Sequence, residues 1–418
     1  MSECNQKPSS GRVKSARFTD EMKKTHTILV PDMLPIHFKF ILAVFREYGY
    51  NMELLQTSTK TVIDEGLKNV HNDTCYPALL VIGQFMEALK SGKYDPDTTA
   101  LMLSQTGGGC RASNYIHLLR KTLSTQFPQV PVISLNFSGL EKGASMPITV
   151  PIALKLIMAV LYGDMLMLLY NQCKPYELVK NATDKVLDKW QKRINQYISK
   201  SKVMGINKTY KLILDDFAKI ERTKQKKPKV GIVGEIYVKY SPLANNHLEE
   251  FLLSEGCEPV VPGLLDFVLY CAINSANDGR FYGFKNKTTI FNQIGYNVLY
   301  SYQKKMIKAI ENHGEFNPPH DFEHLRHEAD KFIHQGVKMG EGWLITAEMS
   351  ALAQTGTENI ICTQPFGCLP NHIVAKGMAR HIKDAYPDAN IVAIDYDPGA
   401  TKVNQENRIK LMLANIKK

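Results

Sequence analysis

From Thr27 onward, short apolar runs alternate with stretches whose apolar residues recur at helical spacing. Thr27–Met33, Asn51–Leu55, Ala100–Gln105 and Val130–Asn136 read as strands. His37–Tyr48 carries Phe38, Ile41, Leu42 and Phe45 on one helical face, and Thr61–Val70, Pro77–Lys90 and Ala112–Thr125 read as further helices. Residues 151–202 are strongly helical, and a charged, Lys-rich linker follows as far as Pro228. The alternation then restarts. Val230–Gly234, Pro259–Val261, Asn359–Thr363 and Asn390–Tyr396 read as strands. Leu243–Ser254, Gly342–Ala353, His372–Tyr386 and Val403–Lys417 read as helices.

Strand–helix alternation of this kind argues for parallel sheets covered by helices. The fold expected is α/β: two Rossmann-like, doubly wound parallel-sheet domains with a helical connection. The divisions expected are a basic tail at 1–24, a first α/β domain at 25–150, a helical connection and linker at 151–227, and a second α/β domain at 228–418 with a helical insert at 263–335.

Composition sharpens this picture in three places. First, 418 residues are too many for one ordinary core, while 44% hydrophobic and 22% charged residues are ordinary for a soluble globular protein. Second, the formal charge of +10 gathers in two runs, Lys7 to Lys24 and Arg222 to Lys229. Neither run interleaves its cations with aromatics as a nucleic-acid face does, so no nucleic-acid partner is expected. They read as a solvated tail and linker, with docking to an acidic protein as the sharper reading. Third, Ile148 to Tyr170 is long and apolar but is interrupted by Lys155, Gly163 and Asp164, which argues for a buried core helix and no membrane span. The polar start of the chain lacks the apolar region of a secretory signal, so a cytoplasmic location is expected.

The eight cysteines are widely and irregularly spaced. In such a chain, metal ligation or plain burial is expected ahead of disulfides. Three of them share a local setting. Cys110 follows a strand and the glycines Gly107, Gly108 and Gly109. Cys368 follows a strand and Gly367. Cys75 precedes Pro77, a first-turn residue. A helix start carries unsatisfied N–H groups and partial positive charge, which favour the thiolate that a metal needs. Crevices at the carboxyl ends of parallel strands are where α/β proteins bind ligands. Cys75, Cys110 and Cys368 are therefore expected to converge across an interdomain cleft as metal ligands. Glycine backbone at Gly108, Gly109 and Gly367 would face the bound group, and Arg111 would balance its charge.

Spacing alone does not choose the metal. Neither paired zinc spacing nor ferredoxin spacing occurs, so zinc with an open position and a cubane with one non-cysteine site both remain. Cys271 and Cys362 are further ligand candidates, and Cys4, Cys173 and Cys257 read as packing residues. Glu235, at a strand end, is a candidate proton acceptor or ligand anchor, with helix capping as its alternative. His372 and Asn371, after Cys368, are candidates to hydrogen-bond a bound group. Asp395 and Asp397 sit at a strand end, where Asp397-Pro398-Gly399 also makes a good turn. His313, His320, His324, His327 and His334 lack zinc-site spacing and read as surface residues.

Cys75-Tyr-Pro with Gln84-Phe-Met-Glu-Ala-Leu89, Gly107-Gly-Gly-Cys-Arg-Ala-Ser-Asn114, Gly231-Ile-Val-Gly-Glu-Ile236, Gly340-Glu-Gly-Trp343, Gln364-Pro-Phe-Gly-Cys-Leu-Pro-Asn-His372 and Asp395-Tyr-Asp-Pro-Gly-Ala400 together resemble the 2-hydroxyacyl-CoA dehydratase D-component-like family. The likeness is greatest to the region that follows the activase modules in large CoA-substrate-specific enzyme activases. The resemblance implies a 4Fe–4S cluster on three cysteines, with a double-cubane cluster as a lesser alternative. It also implies one-electron chemistry on a small substrate of the acyl-CoA class, an ATP-dependent activator protein as electron donor, and a homodimer. The chain has no G-x-x-x-x-G-K-[ST] run, so ATP hydrolysis is expected in the activator and not here. A non-catalytic cluster-binding scaffold or sensor and a zinc-dependent hydrolase are the alternative functions.

Overall fold

The computed structural model describes residues 16–56, 60–71, 73–105, 109–136, 146–199, 205–284 and 287–415. The basic residues before position 16, Cys4, Gly107 and Gly108 lie outside them.

The chain is α/β, with two four-stranded, all-parallel sheets covered by helices. The first holds β1 (Thr27–Pro31), β2 (Met52–Leu55), β3 (Thr99–Gln105) and β4 (Val132–Asn136) in the order β2-β1-β3-β4. The second holds β5 (Lys229–Gly234), β6 (Glu258–Val260), β7 (Asn359–Pro365) and β8 (Asn390–Tyr396) in the order β6-β5-β7-β8. The two orders are the same when each sheet is counted from its own first strand. Ile28 pairs with Met52 and Ala100, and Val230 pairs with Pro259 and Asn359. Strand order reverses beside β1 and β3 in one sheet and beside β5 and β7 in the other, which opens a crevice at those strand ends.

One continuous apolar interior joins the lobes. It contains Leu29, Leu55, Phe85 and Leu101 from the first and Val230, Ile232, Ile394 and Tyr396 from the second. Helix Tyr76–Lys90 lies within it, buried along nearly its whole length.

The apolar run after residue 148 forms helix Val150–Cys173. With the turn Lys174–Tyr176 that continues it, the stretch Val150–Tyr176 is long and apolar enough to cross a membrane, yet 56% of its most apolar window is buried inside the protein. Asp164 explains why this helix packs where it does. Its Oδ1 lies 2.7 Å from His37 Nε2 and accepts from Leu264 N–H (2.8 Å), while its Oδ2 accepts from Leu265 N–H (2.8 Å). One buried carboxylate thus ties the first lobe, the connection and the insert together, and it satisfies two N–H groups at a helix start that would otherwise be orphaned.

The structure corrects the sequence reading in three elements. The Lys-rich stretch contains helix Ile206–Ala218, whose Tyr210, Ile213, Leu214 and Phe217 are buried. The expected helix Leu243–Ser254 is interrupted at Asn246 and His247, both left-handed (φ 57° and 61°). The expected helix His372–Tyr386 is a short turn at Leu369–Asn371, a widened turn at His372–Lys376 and a regular helix at Ala379–Ala385.

Candidate functional site

Each of the three cysteines caps the start of a helical segment in extended backbone. Cys75 precedes helix Tyr76–Lys90, Cys110 precedes the single turn Arg111–Asn114, and Cys368 precedes Leu369–Asn371. Cys110 follows β3 and Cys368 follows β7, so each leaves a strand that flanks the order reversal of its own sheet. Phe366, two residues before Cys368, accepts a hydrogen bond on its carbonyl from Tyr76 N–H (3.0 Å), which joins the Cys368 loop to the Cys75 helix.

The three segments meet at glycine backbone. A Cβ on Gly367 (φ +74°) would stand 3.2 Å from Cys75 Cα. One on Gly340 (φ +62°) would stand 3.3 Å from Pro370 and 4.0 Å from Cys110 Sγ. Both positive φ values and both close approaches favour glycine. Gly109 N–H donates to Met339 Sδ (3.1 Å), so the Cys110 loop is anchored to the segment before Gly340. Arg111 bonds the carbonyl of Asp73, and its charge is a small counterweight to the burial that raises the Cys75 thiol.

Charge coupling ties the thiols to two carboxylates. Burial pushes Cys110 up to about 12, and the charges of Glu341, Glu235 and Cys75 push the same way. Cys368 is driven higher by burial, then by Glu341, Glu235 and Cys110. Cys75 is raised by burial, against a hydrogen bond from Tyr115, whose hydroxyl lies 2.7 Å from its Sγ. The expected thiolate-favouring effect of helix starts is thus outweighed by burial. Two of the three segments are single turns with little dipole to offer. A bound metal would reverse this balance by displacing the protons.

Glu235 caps helix Ile236–Tyr240 by accepting from Val238 N–H (2.8 Å), and Glu341 accepts from Ile236 N–H (2.8 Å). Two carboxylates therefore share one short helix start. Burial raises Glu235 to about 8, with the charge of Glu341 as the next cause, and burial raises Glu341 as well. The Lys239 ammonium works against both shifts. It lies 3.1 Å and 3.3 Å from the carboxylate oxygens of Glu348, a pair buried on both sides.

Other expected residues fall elsewhere. His372 has an exposed side chain. Asn371 is buried but bonds Thr363 O, and its Oδ1 accepts from Cys362 Sγ (3.6 Å), inside the core beside β7. Cys362 packs among apolar residues there. Cys271, on helix Leu264–Phe281, is open to solvent at its surface. The protein around it, then the charge of Glu341, pushes its thiol up to about 12. Asp395 bonds Gln364 and Asp397 closes a turn onto Gly399 N–H.

No group of three or more His, Cys, Asp or Glu among the described residues is close enough to hold one metal ion. Three thiolates around one zinc stand only about 3.7 Å apart, from zinc–sulfur bonds of about 2.3 Å. The three cysteines do not form such a single-ion group. A cavity of about 250 Å³ lined by Lys39, Arg46 and Asn195 contains none of these residues.

Sequence reasoning missed Glu341 and Tyr115. Glu341 stood between two glycines in Gly340-Glu-Gly-Trp343, a weak signal. Tyr115 carried none. Compared with models of protein families, with curated proteins and with solved structures, the chain matches none.

Proposed function

We propose that the chain is a cytoplasmic iron–sulfur redox protein that holds one 4Fe–4S cluster on Cys75, Cys110 and Cys368. The observation that supports this most is the meeting of the three cysteine-bearing segments from both lobes: Tyr76 N–H bonds the Phe366 carbonyl, and glycine backbone at 367 and 340 stands against Cys75 and Cys110. When bound, the cluster would supply one-electron chemistry and an iron lacking a protein sulfur.

The chain's own residues have separable tasks. Arg111 balances negative charge beside Cys75. Tyr115 directs its hydroxyl at Cys75 Sγ. Burial and the charge of Glu341 raise Glu235, so the Glu235–Glu341 pair favours holding a proton that Glu235 would hand to a departing hydroxyl group. His372, exposed, enters no step. The electron would come from an ATP-hydrolysing activator, and the substrate class that the resemblance names is a small 2-hydroxyacyl thioester.

A second reading is a closed four-cysteine site in a scaffold or sensor, with the exposed Cys271 as the candidate fourth ligand. Anaerobic purification with iron, sulfide and electron paramagnetic resonance measurements tests both. Cys75→Ala, Cys110→Ala and Cys368→Ala should each lose the cluster, and unchanged iron and sulfide in all three ends the proposal. Cluster loss in Cys271→Ala as well would favour the closed site.

A further inference from the structure

Lys39, Leu42 and Arg46 stand three and four residues apart on helix Pro35–Glu47 and so share one of its faces. That face, the edge strand β2 and helix Ala182–Ser199 line a surface cavity of about 250 Å³. Leu42 and Leu54 give it an apolar wall, and Asn195 faces it from the second helix. Its volume falls just under the ~300–1,000 Å³ of ordinary ligand pockets, so the space suits a small molecule and not a nucleotide-sized one. None of the cysteines or carboxylates of the crevice lines it.

The two cations are held in place with donors to spare. Lys39 Nζ donates to Gln191 Oε1 (2.9 Å), one turn before Asn195, and an ammonium has two further protons to give. Arg46 donates from Nε (3.0 Å) and Nη2 (2.5 Å) to the Met52 carbonyl, which leaves the Nη1 protons. Glu53, the one acid among the described lining residues, accepts on Oε1 from Lys93 Nζ (2.7 Å) and from the Tyr94 hydroxyl. Its charge is thus matched by a lysine outside the lining. The Lys39 charge also reaches Asp32, which is no part of the lining. Asn195 Oδ1 is buried and has no donor among the described residues. A buried acceptor left unmade is costly, and a bound hydroxyl would satisfy it.

We propose that this cavity binds a small hydroxy acid with two anionic groups, carboxylate or phosphate. Lys39 and Arg46 are about 10.5 Å apart along the helix axis and are tied to different elements, so each cation receives its own anionic group. The ligand hydroxyl donates to Asn195 Oδ1, and its carbon skeleton lies on Leu42 and Leu54. Such a ligand bridges helix Pro35–Glu47 and helix Ala182–Ser199, and so ties the first lobe to the helical connection. The inference rests on this cavity and not on the cluster reading.

Isothermal titration calorimetry of the full chain with L-malate at low salt tests it. One malate per chain should bind at about 1 mM or tighter, and more weakly as salt is added. Succinate, which lacks the hydroxyl, should bind about fivefold to tenfold more weakly. 3-Phosphoglycerate in a parallel titration separates the two anion classes: tighter binding than malate assigns a phosphate to one cation, and weaker binding assigns a carboxylate to both. Lys39→Gln combined with Arg46→Gln should abolish binding, and Arg46→Lys, which keeps the charge, should retain it. Asn195→Ala should erase the difference between malate and succinate. Lys39 and Arg46 are exposed, so far-ultraviolet circular dichroism should stay unchanged in the double variant. Tm should rise with malate in the unaltered chain and not in that variant. No saturable binding of malate or 3-phosphoglycerate overturns the proposal, as does equal binding by the double variant or equal affinity of the unaltered chain for malate and succinate.

Discussion

The hydroxyl of Tyr115 and the sulfur of Cys75 lie 2.7 Å apart, buried side by side. Burial, then the Cys75 charge, pushes the Tyr115 phenol well above its usual range, so it stays an O–H donor. Tyr115→Phe deletes this donor with little change of shape. The apoprotein should lose about 1 kcal/mol in urea unfolding. In a chain carrying the proposed cluster the midpoint potential should become more negative, because hydrogen bonds to cluster sulfurs stabilise the reduced state. An unchanged potential would show that the contact does not tune the site.

Glu235 gives the apoprotein a definite pH dependence. Its folded value of about 8 lies above the ordinary 4.5, so the folded state binds the proton more tightly. The stabilisation is complete below pH 4.5 and is lost as pH rises toward 8, at no more than about 1.4 kcal/mol per pH unit. Thermal unfolding of the apoprotein from pH 5 to 9 should show Tm falling through this window. Glu235→Gln should flatten the fall. An equal slope in the variant would assign the effect to another group.

Lys239 and Glu348 form a buried pair, 4% and 1% exposed. Lys239→Met leaves the Glu348 carboxylate without its cation and should cost about 3–5 kcal/mol. Adding Glu348→Gln should recover part of that loss. Equilibrium denaturation of both variants measures the difference, and no recovery would mean that packing dominates.

Asp164→Ala removes the acceptor for His37, Leu264 N–H and Leu265 N–H. A hydrogen bond to a charged group contributes about 1.5–3 kcal/mol, so the loss should reach several kcal/mol. Hydrogen exchange should locate the early opening at the start of helix Leu264–Phe281.

Much of the architecture was legible because it is locally encoded. All eight strands fall where short apolar runs sit between turn residues. The cysteines stood out because Gly107–Gly109, Gly367 and Pro77 punctuate the chain beside them. Helix Ile206–Ala218 was missed because the lysines around it masked the spacing of Tyr210, Ile213, Leu214 and Phe217. The break at Asn246 and His247 depends on left-handed backbone that neither residue demands. Glu341 and Tyr115 acquire their significance from partners far away in sequence. Glu341 meets Ile236 across 105 positions and Tyr115 meets Cys75 across 40, and no periodicity records such a meeting.

The shared interior has a consequence for anyone wishing to dissect the molecule. Cutting the chain near Pro228 would strip Leu29 and Phe85 from Val230 and Ile394 and leave each half with a raw apolar wound. Neither fragment should be soluble by itself. The duplicated strand order notwithstanding, the lobes are not modules to be swapped or expressed singly, and the whole polypeptide is the smallest useful reagent.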